Sequence, residues 1–230
     1  MRKAVVLSSG GLDSTTCLGI AVDQLGAENV KTISVFYGQR HEKELESARA
    51  VAEYYKVEHY EYDMSKVFEF SNCSLLKGST DEIIHKSYVE QIKENERVST
   101  YVPFRNGLLL SMAAAIADSL FPDEEIDIYY GAHADDYANN AYADCSVEFT
   151  DAINKAINIG TYNKIGIVAP LLYIDKAEVV KIGLKLKVPY HLTWSCYEGG
   201  EKQCGTCATC IDRKEAFARN GAVDPVPYEN

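Results

Sequence analysis

The sequence predicts an α/β protein in which helices cover both faces of a doubly wound parallel sheet. Three observations support this fold class. Strand-type and helix-type runs alternate through most of the 230 residues, a glycine-rich turn directly follows the first strand, and four cysteines cluster near the C-terminus. The cysteines add a predicted metal-binding segment to the α/β core.

The first part of the chain follows a strand–helix–strand–helix–strand order. Short β-type runs at Ala4–Leu7, Lys31–Tyr37 and Val57–Tyr62 predict strands. Between them, Ser14–Leu25 and His41–Tyr55 carry apolar residues at helical spacing. This order predicts a parallel sheet whose crossover connections are right-handed. Ligands of these sheets bind beyond the carboxyl ends of the strands, which is where the glycine turn falls.

The alternation continues after an irregular stretch. Residues 72–100 are polar and weakly periodic, which predicts either a long connection or a mobile excursion over the site. Asp175 is an acidic N-cap for one of the later helices. The later predicted elements are the helices Phe104–Leu120, Val147–Ile157, Asp175–Leu186 and Ile211–Ala218 and the strands Ile126–Tyr130 and Gly166–Ala169.

The chain carries 34 acidic and 23 basic residues, a formal net charge of -11. Proteins that bind nucleic acid usually present a basic surface, so we expect a small-molecule substrate and no stable binding of nucleic acid. No run of eighteen apolar residues exists, and the N-terminal apolar stretch is too short for a secretory signal. These features predict a cytoplasmic protein that does not contact a membrane.

The glycine turn, residues 8–15, reads S-S-G-G-L-D-S-T. Its two glycines let backbone N–H groups converge, and the following helix presents its positive dipole end. The predicted phosphate cradle consists of Ser8, Ser9, Gly10, Gly11, Leu12, Asp13, Ser14 and Thr15. It is not a Walker A loop, because Asp13 stands where that loop needs lysine. Asp13 acts through a metal cation or, alternatively, only caps an ordinary helix.

Four of the seven cysteines lie within fifteen residues, at Cys196, Cys204, Cys207 and Cys210. This spacing suits four thiolates around one tetrahedral Zn²⁺, and such a closed site is structural rather than catalytic. An iron–sulfur cluster and unrelated thiols are the alternatives. We predict a nucleotide-binding α/β domain over residues 1–190 and a zinc-binding segment over residues 191–230 packed on it.

Residues 9–14 resemble the S-G-G-x-D-S loop of the PP-loop ATP pyrophosphatases. Other segments resemble the 7-cyano-7-deazaguanine synthase family, and together they span nearly the whole chain. These segments are Y-G-Q-R-H at 37–41, V-P-F-R-N at 102–106, Y-A-D-C at 142–145 and T-W-S-C-Y at 193–197. Phe104 and Ala143 depart from the family pattern, which has glycine and proline there. The first departure could narrow the pocket, and the second could loosen a turn.

The resemblance implies a Rossmann-like fold of the adenine nucleotide α hydrolase type and a role in queuosine biosynthesis. ATP with Mg²⁺ would adenylate 7-carboxy-7-deazaguanine, and ammonia would displace AMP to give an amide. A second ATP would then convert the amide to the nitrile. No segment resembles a glutaminase domain, so free ammonia is the expected nitrogen source, and the family implies a homodimer.

The same resemblance assigns roles to individual residues. The expected catalytic residues are Asp13, Arg40 and Arg105, and the expected substrate-binding residues are Tyr37, Gln39, Asn106, His133, Asp144 and Glu148. Structural alternatives stay open: Arg40 could only begin a helix, and His133 could be a structural histidine. Asp144 and Glu148 could be surface acids. Arg105 could be a solvated charge, but a cation at a helix N-terminus opposes the dipole unless an anionic ligand relieves it.

Two rival functions follow from the same features. A PP-loop enzyme that modifies tRNA shares the loop and often a cysteine cluster, but it should bring a basic surface. A zinc-stabilised interaction module would carry a degenerate loop, whereas residues 9–14 keep every position of the motif.

Overall fold

The computed structural model describes residues 2–88, 90–91, 98–138 and 141–229. Its sheet contains five parallel strands in the order β3-β2-β1-β4-β5. The strands are β1 Lys3–Leu7, β2 Val30–Phe36, β3 Glu58–Asp63, β4 Ile126–Tyr129 and β5 Ile165–Val168. The chain winds outward from β1 to β3 and then returns to the other side of β1 to form β4. This reversal leaves a crevice at the carboxyl ends of β1 and β4, the usual place for a ligand in such a sheet.

Helices cover both faces of the sheet, as predicted. Their bounds are α1 Leu12–Leu25, α2 Lys43–Tyr55, α3 Arg105–Leu120, α4 Val147–Gly160, α5 Lys176–Lys185 and α6 Ala208–Arg219. One apolar core joins α1, α2, α5 and α6 to one face of β1, and a second core joins α3 and α4 to the opposite face. The α/β class and the parallel, doubly wound sheet are therefore confirmed.

The alternation of side chains in β1 separates these two cores. Ala4 and Val6 face α1 and pack near Leu18, whereas Val5 points to the other face and packs near Leu110 of α3. All three strand residues are fully buried. A strand that is apolar on both faces is typical of the centre of a parallel sheet, and β1 occupies that place.

The helix ends differ most from the predictions. Helix α1 begins at Leu12 rather than at Ser14, and its N-cap is Gly11, so the interpretation of Asp13 as a helix cap was wrong. Helix α6 runs from Ala208 to Arg219 and is longer than predicted. By contrast, Asp175 caps α5 as expected and accepts a hydrogen bond from the Glu178 N–H at 2.9 Å.

The polar stretch predicted at 72–100 is described except for residues 89 and 92–97, which lie outside the described residues. Its described part contacts the cysteine-bearing segment through His85. The two imidazole nitrogens of His85 lie 2.7 Å from Thr206 Oγ1 and 2.8 Å from Glu198 Oε1. Ile83 packs among the four cysteines. This stretch therefore connects the C-terminal segment to the rest of the fold.

None of the helices described here is long and apolar enough to cross a membrane. The division into residues 1–190 and 191–230 stays a prediction. Helix α6 nevertheless shares its apolar core with α1 and α5, because Ala216 and Phe217 are buried beside Val179 and Val180.

Candidate active site

The turn between β1 and α1 has room only for glycine at residue 10. Gly10 has a φ of +75°, and a Cβ built on it would lie 2.2 Å from the Glu44 carbonyl oxygen and 2.6 Å from the Ala48 nitrogen. Helix α2 thus packs directly on this turn. A side chain at residue 10 would push α2 away and displace the N–H groups that the turn presents.

Hydroxyl groups line the inside of the turn. Ser9 Oγ and Ser14 Oγ lie 3.0 Å apart, and the Gly11 N–H donates to Ser9 Oγ at 3.3 Å. Two further hydroxyls, Ser8 Oγ and Thr15 Oγ1, are buried with no hydrogen-bond partner in the described structure. Buried donors without partners are uncommon, and the N-terminus of α1 adds its positive dipole end. The turn can therefore bind an oxyanion such as phosphate.

Asp13 projects from the first turn of α1 into a cluster of charged groups. Lys176 Nζ donates to Asp13 Oδ2 at 2.7 Å, and His133 Nε2 lies 3.8 Å from Asp13 Oδ1. Burial raises the pKa of the Asp13 carboxyl, but the charges of Lys176 and His133 outweigh burial and lower that pKa. Burial likewise lowers the pKa of Lys176, and the charges of Asp13 and Asp136 more than reverse this effect. Asp13 is therefore an anion and Lys176 a cation at neutral pH.

His133 lies between these charges. Its Nε2 is 3.1 Å from Lys176 Nζ and 3.3 Å from Asp136 Oδ1. Its Nδ1 is buried and has no hydrogen-bond partner in the described structure. His133 also precedes the short helix Ala134–Tyr137, where the His133 N–H donates to Asp136 Oδ2 at 3.1 Å.

A cavity of about 250 Å³ opens beyond the carboxyl ends of β1, β2 and β4. The glycine turn forms one wall of the cavity, and residues 130–133, directly after β4, form another. Eleven of the predicted site residues lie on its wall: Ser8, Ser9, Gly11, Leu12, Asp13, Ser14, Tyr37, Gln39, Arg105, Asn106 and His133. The turn and four of the six predicted substrate-binding residues thus meet in one cavity.

Arg105 begins α3 and faces this cavity. Its guanidinium donates to the Tyr37 hydroxyl at 3.3 Å and lies 5.3 Å from the centroid of the Tyr37 ring. Glu44 of α2 lies on the same wall. Burial raises the pKa of Glu44 to about 7, and the positive charge of Arg105 limits this rise. The cavity therefore presents a fixed cation and a carboxylate that titrates near neutral pH.

Three tyrosines cover another part of the cavity wall. Tyr88 and Tyr197 join their hydroxyls in a short hydrogen bond, and the rings of Tyr88 and Tyr142 lie 5.9 Å apart, edge to face. Tyr88 belongs to the stretch predicted as a connection or an excursion over the site. Aromatic walls suit a planar heterocycle, so this part of the cavity fits a purine-like ring.

The four C-terminal cysteines are buried, and their sulfur atoms lie within 4.8 Å of one another. Cys204 Sγ and Cys210 Sγ are 4.0 Å apart, and sulfurs on a tetrahedral zinc at 2.3 Å would be about 3.8 Å apart. The backbone N–H groups of Glu198 and Cys204 donate to Cys196 Sγ at 3.4 and 3.3 Å. Such donors stabilise a thiolate, so the cluster could hold a metal ion.

The C-terminal segment also holds the glycine turn in place. The Trp194 N–H donates to the Gly10 carbonyl at 2.9 Å, two residues before the first cysteine. Further along, the buried Arg213 forms a bidentate pair with Asp224 at 2.7 and 3.0 Å and donates to Thr193 Oγ1 at 2.7 Å. Arg213 therefore links α6 to the residues that precede Trp194.

Comparison with known proteins gives the family. Residues 3–221 match the family of the queuosine biosynthesis protein QueC. The chain belongs to this family. A 7-cyano-7-deazaguanine synthase from Archaeoglobus fulgidus is 41% identical over 225 residues, which are 97% of this chain and 89% of that protein. Two others, from Thermoplasma acidophilum and Oceanobacillus iheyensis, are 44% and 42% identical, and each alignment covers 99% of this chain and more than nine-tenths of the relative.

Among solved structures, a U34-tRNA thiolase from Methanococcus maripaludis aligns with 96% of this chain and 67% of its own chain, at 17% identity and a TM-score of 0.46. The resemblance to the QueC family drawn from the sequence motifs is thus confirmed by the family match and by relatives aligned over nearly the whole chain.

Five residues of this QueC-family chain that were predicted for catalysis, nucleotide binding or substrate binding are not on the cavity wall: Gly10, Thr15, Arg40, Asp144 and Glu148. Arg40 is exposed and its guanidinium donates to the Asp81 carbonyl. Asp144 is buried, and its carboxylate accepts from the Asn106 N–H at 2.9 Å, so it caps the start of α3. Glu148 is exposed in the first turn of α4. Substrate contact by these residues stays a prediction.

Lys176 is the charged partner of Asp13 that the sequence motifs missed. It follows the N-cap Asp175 and is 163 positions from Asp13, so no local pattern joins the two. One signal was available. A lysine in the first turn of a helix opposes the helix dipole, which is the argument that marked Arg105. The favourable charge of Asp13 offsets this cost.

Proposed function

We propose that this protein is a 7-cyano-7-deazaguanine synthase that converts 7-carboxy-7-deazaguanine and ammonia to the nitrile and consumes ATP. Membership of the QueC family supports the proposal, as do relatives that carry this name. The observation that carries it is the glycine turn after β1, which opens into an aromatic cavity with Asp13 and Lys176 at its edge.

Adenylation explains why such an enzyme needs ATP. A carboxylate is a poor electrophile, because its leaving group would be oxide. Transfer of AMP to the carboxylate oxygen supplies a good leaving group and releases pyrophosphate. Ammonia then displaces AMP to give the amide. A second ATP activates the amide oxygen, and loss of AMP leaves the nitrile. One site serves both rounds, since each places an oxygen in line with the α-phosphate.

The turn of residues 8–15 holds the triphosphate in this proposal. The unpartnered hydroxyl of Ser8, which lines the cavity, and the N–H groups at the start of α1 are its donors, whereas the buried Thr15 hydroxyl would reach it only after local movement. Asp13 would hold Mg²⁺, which neutralises phosphate charge when bound. Lys176, released from Asp13, would then pair with the phosphates. Both groups are already charged in the free protein, so neither needs to change protonation when the nucleotide binds.

We propose that the substrate is recognised by the cavity wall that carries Arg105 and Tyr37. Arg105, held by Tyr37, is placed to bind the substrate carboxylate or the α-phosphate, and its burial in the cavity strengthens that attraction. Gln39, Asn106 and His133 add polar groups around the ring. Arg40, Asp144 and Glu148 would reach the substrate only after local movement.

The four cysteines are proposed to hold zinc in a closed, structural site. Zinc would cross-link residues 196–210 into one rigid unit. The neighbouring Trp194, whose N–H donates to the Gly10 carbonyl, would connect this unit to the glycine turn. ATP and Mg²⁺ complete the requirements, and a homodimer and a cytoplasmic location are proposed from the family resemblance.

The direct test mixes the protein with the acid, ammonium and Mg-ATP. We expect AMP and pyrophosphate, and mass spectrometry should find the nitrile. Formation of ADP would contradict the proposal.

Asp13→Asn should abolish acid-dependent release of pyrophosphate while the circular dichroism spectrum stays unchanged. Turnover at the normal rate would remove Asp13 from the mechanism. Asp23→Asn, at the far end of α1, serves as the matched control.

A further inference from the structure

Glu44 is a carboxylate on the cavity wall that the proposed roles leave unused. It lies in the first turn of α2, and its side chain lines the same cavity as Arg105 and Tyr37. No hydrogen bond or ion pair within 4.0 Å joins its carboxylate to a residue in the described part of the chain. An unpaired carboxylate on a cavity wall is costly, unless a cation from solution completes it.

Three neighbouring residues limit what this carboxylate can bind. The Glu44 backbone contacts Gly10, so the residue lies against the turn that is proposed to hold the triphosphate. Arg105 and Tyr37 are the charged and titratable groups that face it across the cavity. Arg105 is already hydrogen-bonded to Tyr37 and lies beyond ion-pair distance of Glu44. Glu44 therefore combines closeness to the phosphate site with an open position for a small cation.

The proposed reaction requires two small cations: Mg²⁺, which is assigned to Asp13 beside the phosphates, and ammonium, which still lacks a binding residue. Ammonia is mostly protonated near neutral pH, and ammonium has no lone pair with which to attack. A site that delivers ammonia must therefore bind the cation and remove a proton. A carboxylate whose pKa is about 7 suits this task, because general bases work best when their pKa lies near the working pH.

We propose that Glu44 binds ammonium beside the activated acid and accepts one of its protons. This inference rests on the function proposed above and adds the residue that prepares its nitrogen substrate. An N–H bond of ammonium breaks, its proton moves to the Glu44 carboxylate, and its electron pair becomes the lone pair of ammonia.

That lone pair then forms the C–N bond to the acyl carbon of the adenylate. The C–O bond to AMP breaks, and its electrons leave with AMP. A second proton leaves the nitrogen for solvent, which gives the neutral amide. Glu44 returns its own proton to water, and the site is ready for the second ATP.

The test compares two nitrogen nucleophiles. Hydroxylamine is mostly neutral near pH 7, so it attacks an acyl adenylate without prior loss of a proton. Glu44→Gln should lower kcat/KM for ammonium by about 100-fold. Its kcat/KM for hydroxylamine should stay within about threefold of wild type, as should acid-dependent exchange of pyrophosphate into ATP. Glu44→Asp, which keeps a carboxylate, should recover part of the ammonium activity.

Glu46→Gln is the matched control, because this exposed acid lies on the same turn of α2 and faces away from the cavity. Equal losses with ammonium and hydroxylamine would overturn the inference. A raised KM for the acid with weakened pyrophosphate exchange would also overturn it, since Glu44 would then bind the N–H edge of the deazaguanine. Absence of acid-dependent exchange in the wild-type protein would instead refute the proposed function.

Discussion

At the scale of single residues, Phe104 occupies a position whose backbone angles favour glycine. Phe104 has φ +52° and ψ +29°, in the left-handed region that glycine occupies without strain. The resemblance to the QueC family led us to expect glycine at this position. The Phe104 ring packs on Gly107 and lies 6.0 Å, edge to face, from the Phe149 ring. These contacts offset part of the backbone strain.

The left-handed backbone predicts an order of stability for two substitutions. Phe104→Ala and Phe104→Gly both remove the ring and its contacts, but only glycine relieves the backbone. We expect the glycine variant to be more stable than the alanine variant by about 1 kcal/mol. Urea unfolding of both variants gives the difference directly. Equal stability would mean that Phe104 does not adopt the left-handed conformation in solution.

Residues within one motif were predictable, and residues joined only by the fold were not. The turn of residues 8–15 carries its chemistry in consecutive positions, so the sequence pointed to Asp13 and Ser14. Lys176 reaches Asp13 only because α5 packs beside α1. Asp144 was expected to bind substrate, yet in this structure its carboxylate caps α3, since the fold brings it within 2.9 Å of the Asn106 N–H.

At the scale of elements, the strands and helices followed from periodicity, whereas their ends did not. Apolar spacing identified α2, because the buried residues of this helix recur every three to four positions. The start of α1 depends instead on Gly11, which begins the helix with no side-chain hydrogen bond, and such a start leaves little trace in sequence. The described part of the stretch at 72–100 is positioned by long-range contacts such as those of His85 with Thr206 and Glu198. No local sequence pattern predicts such contacts.

The C-terminal segment is expected to depend on its metal. Cys207→Ser removes one of four proposed ligands, so the purified variant should lose most of its bound zinc and unfold at a lower temperature. It should also bind ATP more weakly, because Trp194 then holds Gly10 less firmly. Elemental analysis and thermal unfolding with and without ATP measure these effects.

Cys73→Ser is the control for this prediction, since Cys73 is buried in a different apolar cluster. It should retain zinc and the ATP-dependent rise in unfolding temperature. A Cys207→Ser variant that keeps both properties would show that the four cysteines do not hold a structural metal. Iron in place of zinc in the wild-type protein would favour the iron–sulfur alternative.

At the scale of the whole molecule, the charge balance separates the proposed function from its nearest rival. An enzyme that modifies tRNA must attract a polyanion, whereas this chain has a formal net charge of -11. The cationic groups of the cavity, Lys176 and Arg105, are mostly enclosed and face Asp13 and Tyr37. Enclosed charges can bind a nucleotide that enters the cavity, but they cannot contact the phosphate groups along the backbone of a folded RNA.

This balance predicts that bulk tRNA will not be retarded by the protein in a native gel at low salt, up to concentrations of about 100 μM. Low salt is the demanding condition, because any phosphate contacts are strongest there. A basic RNA-binding protein in the same gel verifies that binding would be seen. Retardation that weakens as salt rises would reveal a basic surface that net charge conceals, and it would favour the tRNA-modifying enzyme. If the free deazaguanine acid is the substrate, tRNA and the acid do not share a site. Added tRNA should then leave the rate of turnover of the acid unchanged.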